Sequence, residues 1–373
     1  MFRLSNLIKS TLQEQKSRTL DGSIIIWNMT NRCNLLCHHC YSKASANEKE
    51  SLSLEDILKT IPKLKIANIN FVIFSGGEPL LRKDIFEIAQ CMKDNKIMTY
   101  LSTNGTYITE KNAQKIIDTF NYIGISIDGI GEVHDYFRGQ KGSYDKSIEA
   151  IKTIQKLGGN AGIRFTITKE TESSFYDIFT LAEELNVNKI YISHLVYSGR
   201  GKENLEIDIS KEKRREYVNF MINKAFEYYE NGKDIDIVTG NMEMDAIMLL
   251  KEFEKKYPDF VNSLKNRLKS WGGNSAGKRL GNMDWNGFVK PDPFFPMTIG
   301  NYLEKDFDKI WLDDNNELLK KLREFPRNIK GKCSSCKYID ICNGGSRSRA
   351  YAISGDLWDE DPSCYLTLEE IKG

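Results

Sequence analysis

The chain has 373 residues, 40% of them hydrophobic, and its 53 basic and 52 acidic side chains leave a formal net charge of +1. That length exceeds one average domain without demanding three, and a balanced charge sets up no field directed at nucleic acid or a membrane surface. No apolar run approaches the roughly 20 residues that span a bilayer, and residues 1–20 are polar and Lys-containing, without the apolar stretch of a signal peptide, so the cytoplasm is the expected compartment and a small molecule or peptide the expected ligand.

In chain order, short β-branched or aromatic runs at residues 23–29, 70–74, 98–101, 122–127, 162–168 and 189–196 predict six strands. Amphipathic stretches at 54–64, 84–93, 110–119, 144–157 and 176–185 alternate with them, several opened by a capping residue such as Ser53 or Ser143. Repeated β-α units predict a parallel sheet in a barrel or partial barrel, with chemistry at the carboxyl ends of the strands. After Lys202 the pattern turns to helices around 211–230 and 241–254, then to a Gly- and Pro-rich region at 271–300. The expected organisation is an N-terminal helical extension (1–22), a barrel (23–205), a helical linker region (206–270) and a smaller C-terminal unit (271–373).

The eight cysteines fall into groups of three, four and one. Cys91 sits in a predicted helix beside Ile88 and Met92 and reads as a buried small hydrophobe. Clustered thiols in a chain with this cytosolic profile point to metal rather than to disulfides. Cys33, Cys37 and Cys40, in Cys33-Asn34-Leu35-Leu36-Cys37-His38-His39-Cys40, directly follow the first strand. Three thiolates on one loop ligate three irons of a cubane and leave the fourth iron open, and zinc completed by His38 or His39 is the competing ligand set. Ser75-Gly76-Gly77-Glu78-Pro79 ends the second strand and would alone signal only a turn.

These motifs, at the ends of consecutive strands, resemble the radical S-adenosylmethionine (SAM) superfamily, over roughly residues 23–201. The resemblance implies a [4Fe–4S] cluster on Cys33, Cys37 and Cys40 whose open iron site chelates SAM. It also implies binding of the SAM amino group at the backbone of Gly76, Gly77 and Glu78, where glycine permits close approach, and an adenine contact from His39. Strand parity extends the set. Ile123, Ile125 and Ile127 share the face expected to pack on outer helices, which turns Gly124, Ser126 and Asp128 toward the barrel interior, with Ser126 and Asp128 in reach of the SAM ribose. Arg138, in His134-Asp135-Tyr136-Phe137-Arg138-Gly139, resembles the arginine that pairs with the SAM carboxylate. Parity also turns Arg164 and Thr166 inward, where a buried arginine needs an anion, so Arg164 is a candidate for a substrate carboxylate. The same rule turns Leu195 inward toward adenine and His194 outward into the core.

Cys333, Cys336, Cys342 and Cys364 supply four thiolates, enough to close a second cubane or a structural zinc site, and spacing alone does not separate the two. The tail resembles the SPASM domain attached to many radical SAM enzymes, which favours iron–sulfur. It departs from that pattern where Ser346 stands in place of a further cysteine and residues 271–295 hold none, so one auxiliary [4Fe–4S] cluster is expected. The implied fold is α/β, a partial (β/α)6 TIM-type barrel with a smaller C-terminal SPASM- or twitch-like domain.

Trp27-Asn28-Met29-Thr30, residues 134–139 and 194–201, Gly272-Gly273-Asn274-Ser275 and Gly355-Asp356-Leu357-Trp358 further resemble the heme-biosynthesis branch of the superfamily, the NirJ- and AhbC-like enzymes. That resemblance implies an iron tetrapyrrole substrate, didecarboxysiroheme, losing acetate side chains to give iron-coproporphyrin III or propionates toward heme d1, with a ferredoxin- or flavodoxin-type electron donor. Arg164, Arg200, Lys202, Arg347 and Arg349 are candidate cations for its carboxylates, and Trp285, Phe288, Phe294 and Phe295 candidates for a flat apolar wall. A SPASM-type peptide maturase is the alternative, although the added peptide-binding domain or fuller cysteine set usual there is not seen. A non-enzymatic iron–sulfur scaffold leaves the Gly-Gly-Glu-Pro turn, Ser126, Asp128 and Arg138 without a purpose.

Overall fold

A computed structural model describes residues 1–15 and 22–372, and eleven strands among them form one sheet. They are β1 (Phe2–Arg3), β2 (Ser23–Thr30), β3 (Ile69–Gly76), β4 (Met98–Thr103), β5 (Tyr122–Ser126), β6 (Ala161–Ile167), β7 (Lys189–His194), β8 (Asp236–Gly240), β9 (Leu280–Met283), β10 (Phe288–Lys290) and β11 (Gly300–Asn301). Their order across the sheet is β1-β8-β7-β6-β5-β4-β3-β2-β9-β10-β11. The six predicted strands are β2 to β7, neighbours in chain order and all parallel. Each is joined to the next through the helices Leu54–Ile66, Ile85–Asp94, Ala113–Thr119, Ser143–Lys156 and Asp177–Glu184, the crossover that parallel pairing requires.

Parity behaves as expected. Ile123, Ile125, Ile163, Phe165 and Ile167 are at most 1% exposed and lie in the main hydrophobic core, a burial that stabilises by about 1.5–3 kcal/mol per large side chain. The opposite faces line the lumen, where glycines make room for large neighbours. A Cβ on Gly124 would lie 2.8 Å from Arg164 Cδ, and one on Gly162 2.2 Å from the Tyr122 hydroxyl. Cys91 is half-buried against the main core.

Three features differ from the sequence reading. The segment 206–270 is helical over Lys211–Glu230, Asp245–Lys256 and Val261–Trp271, yet it also contributes β8, parallel to β7. Five residues, Asp-Ile-Val-Thr-Gly, are too few for periodicity to announce a strand between long helices. The ends of the chain are also built into the barrel sheet: β9 runs parallel to β2 on one edge and β1 antiparallel to β8 on the other. Both edges of the barrel strands are thereby paired. Within the expected extension 1–22, Leu4–Leu12 is helical, while residues 16–21 lie outside the described residues. Ser53 caps its helix, accepting from Asp56 N–H at 3.1 Å, but Ser143 is already the first helical residue. Its helix is capped from the preceding one by Asp135, which accepts from Ser143 Oγ at 2.9 Å and Tyr144 N–H at 2.8 Å. Among the described residues, no helix is long and apolar enough to cross a membrane.

Candidate active site

At the carboxyl ends of β2 and β3 two loops lie against each other. Gly77 N–H donates to Thr30 O and Glu78 N–H to Arg32 O, each at 2.8 Å. A Cβ on Gly76 would lie 2.3 Å from Thr30 O and one on Gly77 2.1 Å from Arg32 O, with φ at Gly76 of +129°. The glycines therefore serve first to let this turn lie on the cysteine loop itself. Glu78 is wholly buried and accepts from Thr103 Oγ1 at 2.8 Å, Asn104 N–H at 2.8 Å and Leu80 N–H at 3.1 Å. Burial pushes its pKa up to about 7, against those three donors. The carboxylate thus ties the turn to the end of β4.

Cys33 and Cys37 are buried and Cys40 partly so. Donors point at the sulfurs: Leu35 N–H lies 3.4 Å from Cys33 Sγ and Arg138 Nη1 3.6 Å from Cys37 Sγ, while Ser42 Oγ is 3.4 Å from Cys40 Sγ. Burial pushes the Cys33 thiol up to about 12 and raises that of Cys37. A bound cation would hold them as thiolates. Three sulfurs on one loop, two of them facing N–H donors, fit a cubane with one iron left open.

Beside this loop His39 stacks on Phe137, ring centroids 4.6 Å apart and planes 1° from parallel, and Phe137 shares a small buried cluster with Leu195 and Ile207. Burial lowers the His39 pKa to about 4, so its ring is neutral at pH 7. Asp128 is ion-paired with Arg138 and accepts from Thr166 N–H at 2.5 Å. Burial opposes its ionisation, but the guanidinium of Arg138 holds it below the usual carboxylate range. The side chain of Ser126, at the inner end of β5, makes no hydrogen bond to any described residue, so the open hydroxyl is Ser126 and Asp128 is the group that steadies Arg138. His39 Nδ1 and Arg138 Nε are buried without hydrogen-bond partners among the described residues. An apolar slot with unmatched polar atoms, next to the cysteine loop, fits SAM.

The structure redistributes the candidate cations. Arg200 donates to Cys37 O at 2.7 Å and Ala44 O at 3.2 Å, so it braces the cysteine loop. Arg347 is wholly buried on the carbonyls of Gly344, Leu357 and Asp359, and Arg349 on Asp361 and two further carbonyls. Arg164 differs: it reaches into the lumen 4.5 Å from the Tyr191 ring and has no ion pair among the described residues. The four candidate wall aromatics also separate. Phe294 lies 5.2 Å from Tyr41 beside the cysteine loop, Phe295 is buried within the tail, Phe288 is exposed and Trp285 is half-buried, its carbonyl accepting from Ser51 Oγ. His194 is buried on the outer face, 3.6 Å from Asp245. Two contacts had no clear sequence signal: Phe137 beneath His39, and Glu170, which pairs with His38 at 2.8 Å. For Phe137 the only available clue was its place beside Arg138.

In the tail, Cys333, Cys342 and Cys364 are buried and Cys336 half-buried. Burial raises all four thiols, and the neighbouring thiols add to the rise at Cys333 and Cys342. Gly344 N–H lies 3.4 Å from Cys342 Sγ. Among the described residues no three His, Cys, Asp or Glu side chains close on a single metal ion. Four thiols suffice to hold the four corners of a closed cubane. Ser346 caps the helix Arg347–Ser354, accepting from Arg349 N–H at 3.3 Å.

A parallel α/β barrel whose first two loops press a three-cysteine turn against Gly-Gly-Glu-Pro defines a radical SAM enzyme. The family model for the Radical SAM superfamily matches residues 27–182. The chain is 36% identical over 378 residues to the pre-heme d1 synthase of Dinoroseobacter shibae, covering 99% of this chain and 93% of that protein. It is 37% identical over 354 residues to the Fe-coproporphyrin III synthase of Methanosarcina barkeri, covering 93% and 89%. Streptococcus suis SuiB bound to S-adenosylmethionine shares the fold, with a TM-score of 0.71 at 18% identity over 97% of this chain and 81% of that one. The chain belongs to the radical SAM superfamily and, within it, to the group of heme-synthesis enzymes. Membership implies a [4Fe–4S] cluster and SAM.

Proposed function

We propose that the enzyme acts on didecarboxysiroheme, converting acetate side chains to methyls to give iron-coproporphyrin III, or removing propionates toward heme d1. What carries the reading is the likeness, along nearly the whole chain, to two enzymes named for heme synthesis. Arg164 supports it, because a lumen guanidinium without an ion pair among the described residues suits a carboxylate-bearing substrate. The bound cluster and SAM supply a radical able to abstract hydrogen from a side chain. Cys33, Cys37 and Cys40 hold the cluster, with Arg200 fixing their loop. The backbone at Gly76, Gly77 and Glu78, together with His39, Ser126, Arg138 and Leu195, holds SAM, and Asp128 orients Arg138. The neutral ring of His39 keeps a second positive charge away from Arg138. Cys333, Cys336, Cys342 and Cys364 hold one auxiliary [4Fe–4S] cluster, and a ferredoxin or flavodoxin supplies electrons.

Anaerobic incubation of the reconstituted enzyme with didecarboxysiroheme, SAM and reductant, followed by product mass, tests the reading. A mass loss matching two acetate-to-methyl conversions identifies the first reaction, and loss of propionates the second. An unaltered tetrapyrrole with no spectral change on mixing rejects the substrate and turns attention to a peptide.

A further inference from the structure

The tail touches the barrel through buried polar side chains that neither cluster nor substrate uses. Arg349, on the helix Arg347–Ser354, is fully buried and binds Asp361 in a bidentate pair, Nε to Oδ1 at 3.0 Å and Nη2 to Oδ2 at 2.7 Å. Its remaining donors leave the tail. Nη1 reaches Leu195 O at 3.1 Å, just past the end of β7, and Nη2 reaches Asn241 O, just past the end of β8. Asn241 adopts φ +63° and sends its own amide to Ser193 Oγ at 3.0 Å, so the two strand ends are tied to each other as well as to the tail. Asp361 is held in turn by Ser346 N–H at 2.8 Å and Ser363 N–H at 3.0 Å. Two further contacts flank Cys364: Ser363 Oγ lies 3.1 Å from the Tyr197 hydroxyl, and the Tyr365 hydroxyl donates to Asp245 at 2.8 Å.

A buried ion pair of this kind contributes little net stability, because desolvating both charges offsets most of their attraction. A guanidinium whose three nitrogens are all hydrogen-bonded does fix geometry, since its donors form a rigid fork. What it fixes is the carbonyl of Leu195, whose side chain packs with Phe137 under the His39 ring.

We propose that Arg349, held by Asp361, is a positioning residue for SAM: it sets the ends of β7 and β8 from the tail and so shapes the apolar wall of the SAM slot. The inference rests on the reading that Leu195 borders that slot. Groups that orient ligand-contacting residues from behind typically carry a 10- to 100-fold effect on binding or activity, roughly. SAM affinity is therefore coupled to the docking of the tail.

The test uses the full-length, reconstituted enzyme under anaerobic conditions, with Arg349→Lys and the double variant Arg349→Met/Asp361→Met. The lysine keeps the charge opposite Asp361 but cannot reach both carbonyls, and the double variant removes both members of the pair together. Three quantities are read: iron per chain, the Kd for SAM by equilibrium dialysis, and amide hydrogen exchange over residues 194–198. Wild-type iron, a Kd for SAM raised about tenfold and faster exchange at 195–197 in both variants are expected. Unchanged SAM affinity in either variant with iron retained overturns the proposal, as does loss of iron with unchanged exchange at 195–197. In the wild type, SAM should slow exchange at 195–197. If it does not, the placement of Leu195 beside SAM is wrong, which is distinguishable from a correct placement with a brace that does nothing.

Discussion

Cys37 sits in a small buried cluster with Cys33, Leu35 and Ala44, separate from the main core. Cys37→Ala should therefore abolish 5′-deoxyadenosine formation with little change in melting temperature, and undiminished SAM cleavage by the reconstituted variant would refute the cluster assignment. Two arginines near the same loop should fail in opposite ways. Arg164 has no ion pair among the described residues, so Arg164→Met should leave SAM cleavage without substrate intact while raising the substrate KM by roughly ten- to a hundredfold, the worth of a charge-assisted contact. Arg200 holds the carbonyls of Cys37 and Ala44, so Arg200→Met should lower retained iron and SAM cleavage with no selective effect on substrate KM. Steady-state kinetics beside iron analysis separates the two. Parity on β5 and β6 made Ser126 and Arg164 legible as lumen residues before any coordinates. It did not show that Asp128 would face Arg138, because that pair forms across a turn whose path parity does not describe.

Among the elements of the tail, the turn Gly331–Ser335, Cys336 directly after it, the short helix Ile339–Cys342 and Cys364 supply the four thiols. Two cubanes predict about eight irons per chain, and Cys336→Ala should remove about half of them. The remaining cluster should still change its spectrum when SAM is added. Zinc bound at the tail of the wild type would refute the auxiliary cluster while leaving the barrel site intact. The helix Arg347–Ser354 depends on Asp361, whose carboxyl is wholly buried. Burial opposes its ionisation, but Arg349 prevails and holds its pKa below the ordinary 3.8. A depressed acid contributes stability that is fully present above the unfolded-state value and is lost as pH falls through the folded one. Thermal melts should thus show the wild type losing stability as pH drops below about 4. Asp361→Asn should be less stable at pH 7 and lose less over that window. A variant with an acid profile identical to wild type would contradict the assignment.

Across the whole molecule, the tail is a structural part of the barrel. β9 pairs with β2 over Ile24 to Trp27, and Asn282 Nδ2 donates to Ile26 O at 2.7 Å. A chain ending at residue 270 should leave the β2 edge unpaired and aggregate instead of yielding a free barrel; a soluble, cooperatively melting truncation would show that the tail is dispensable for folding. By itself the sequence determined the chemistry that runs along the chain: the three-cysteine loop, the Gly-Gly-Glu-Pro turn, the six parallel strands and the four tail thiols. The loop, the turn and the strands depend on residues a few positions apart, where spacing and periodicity carry the information, and the tail thiols stand out as the remaining cluster of cysteines near the chain's end. Only the tertiary structure decided which cations are engaged, since parity turned Arg164 into the lumen but carried no sign that Arg200, Arg347 and Arg349 would be taken up by carbonyls and Asp361. It also decided that β8 and the tail strands complete the sheet. Strands of two to five residues have too little pattern of their own, and they form because the open edges of a larger sheet supply their hydrogen-bond partners.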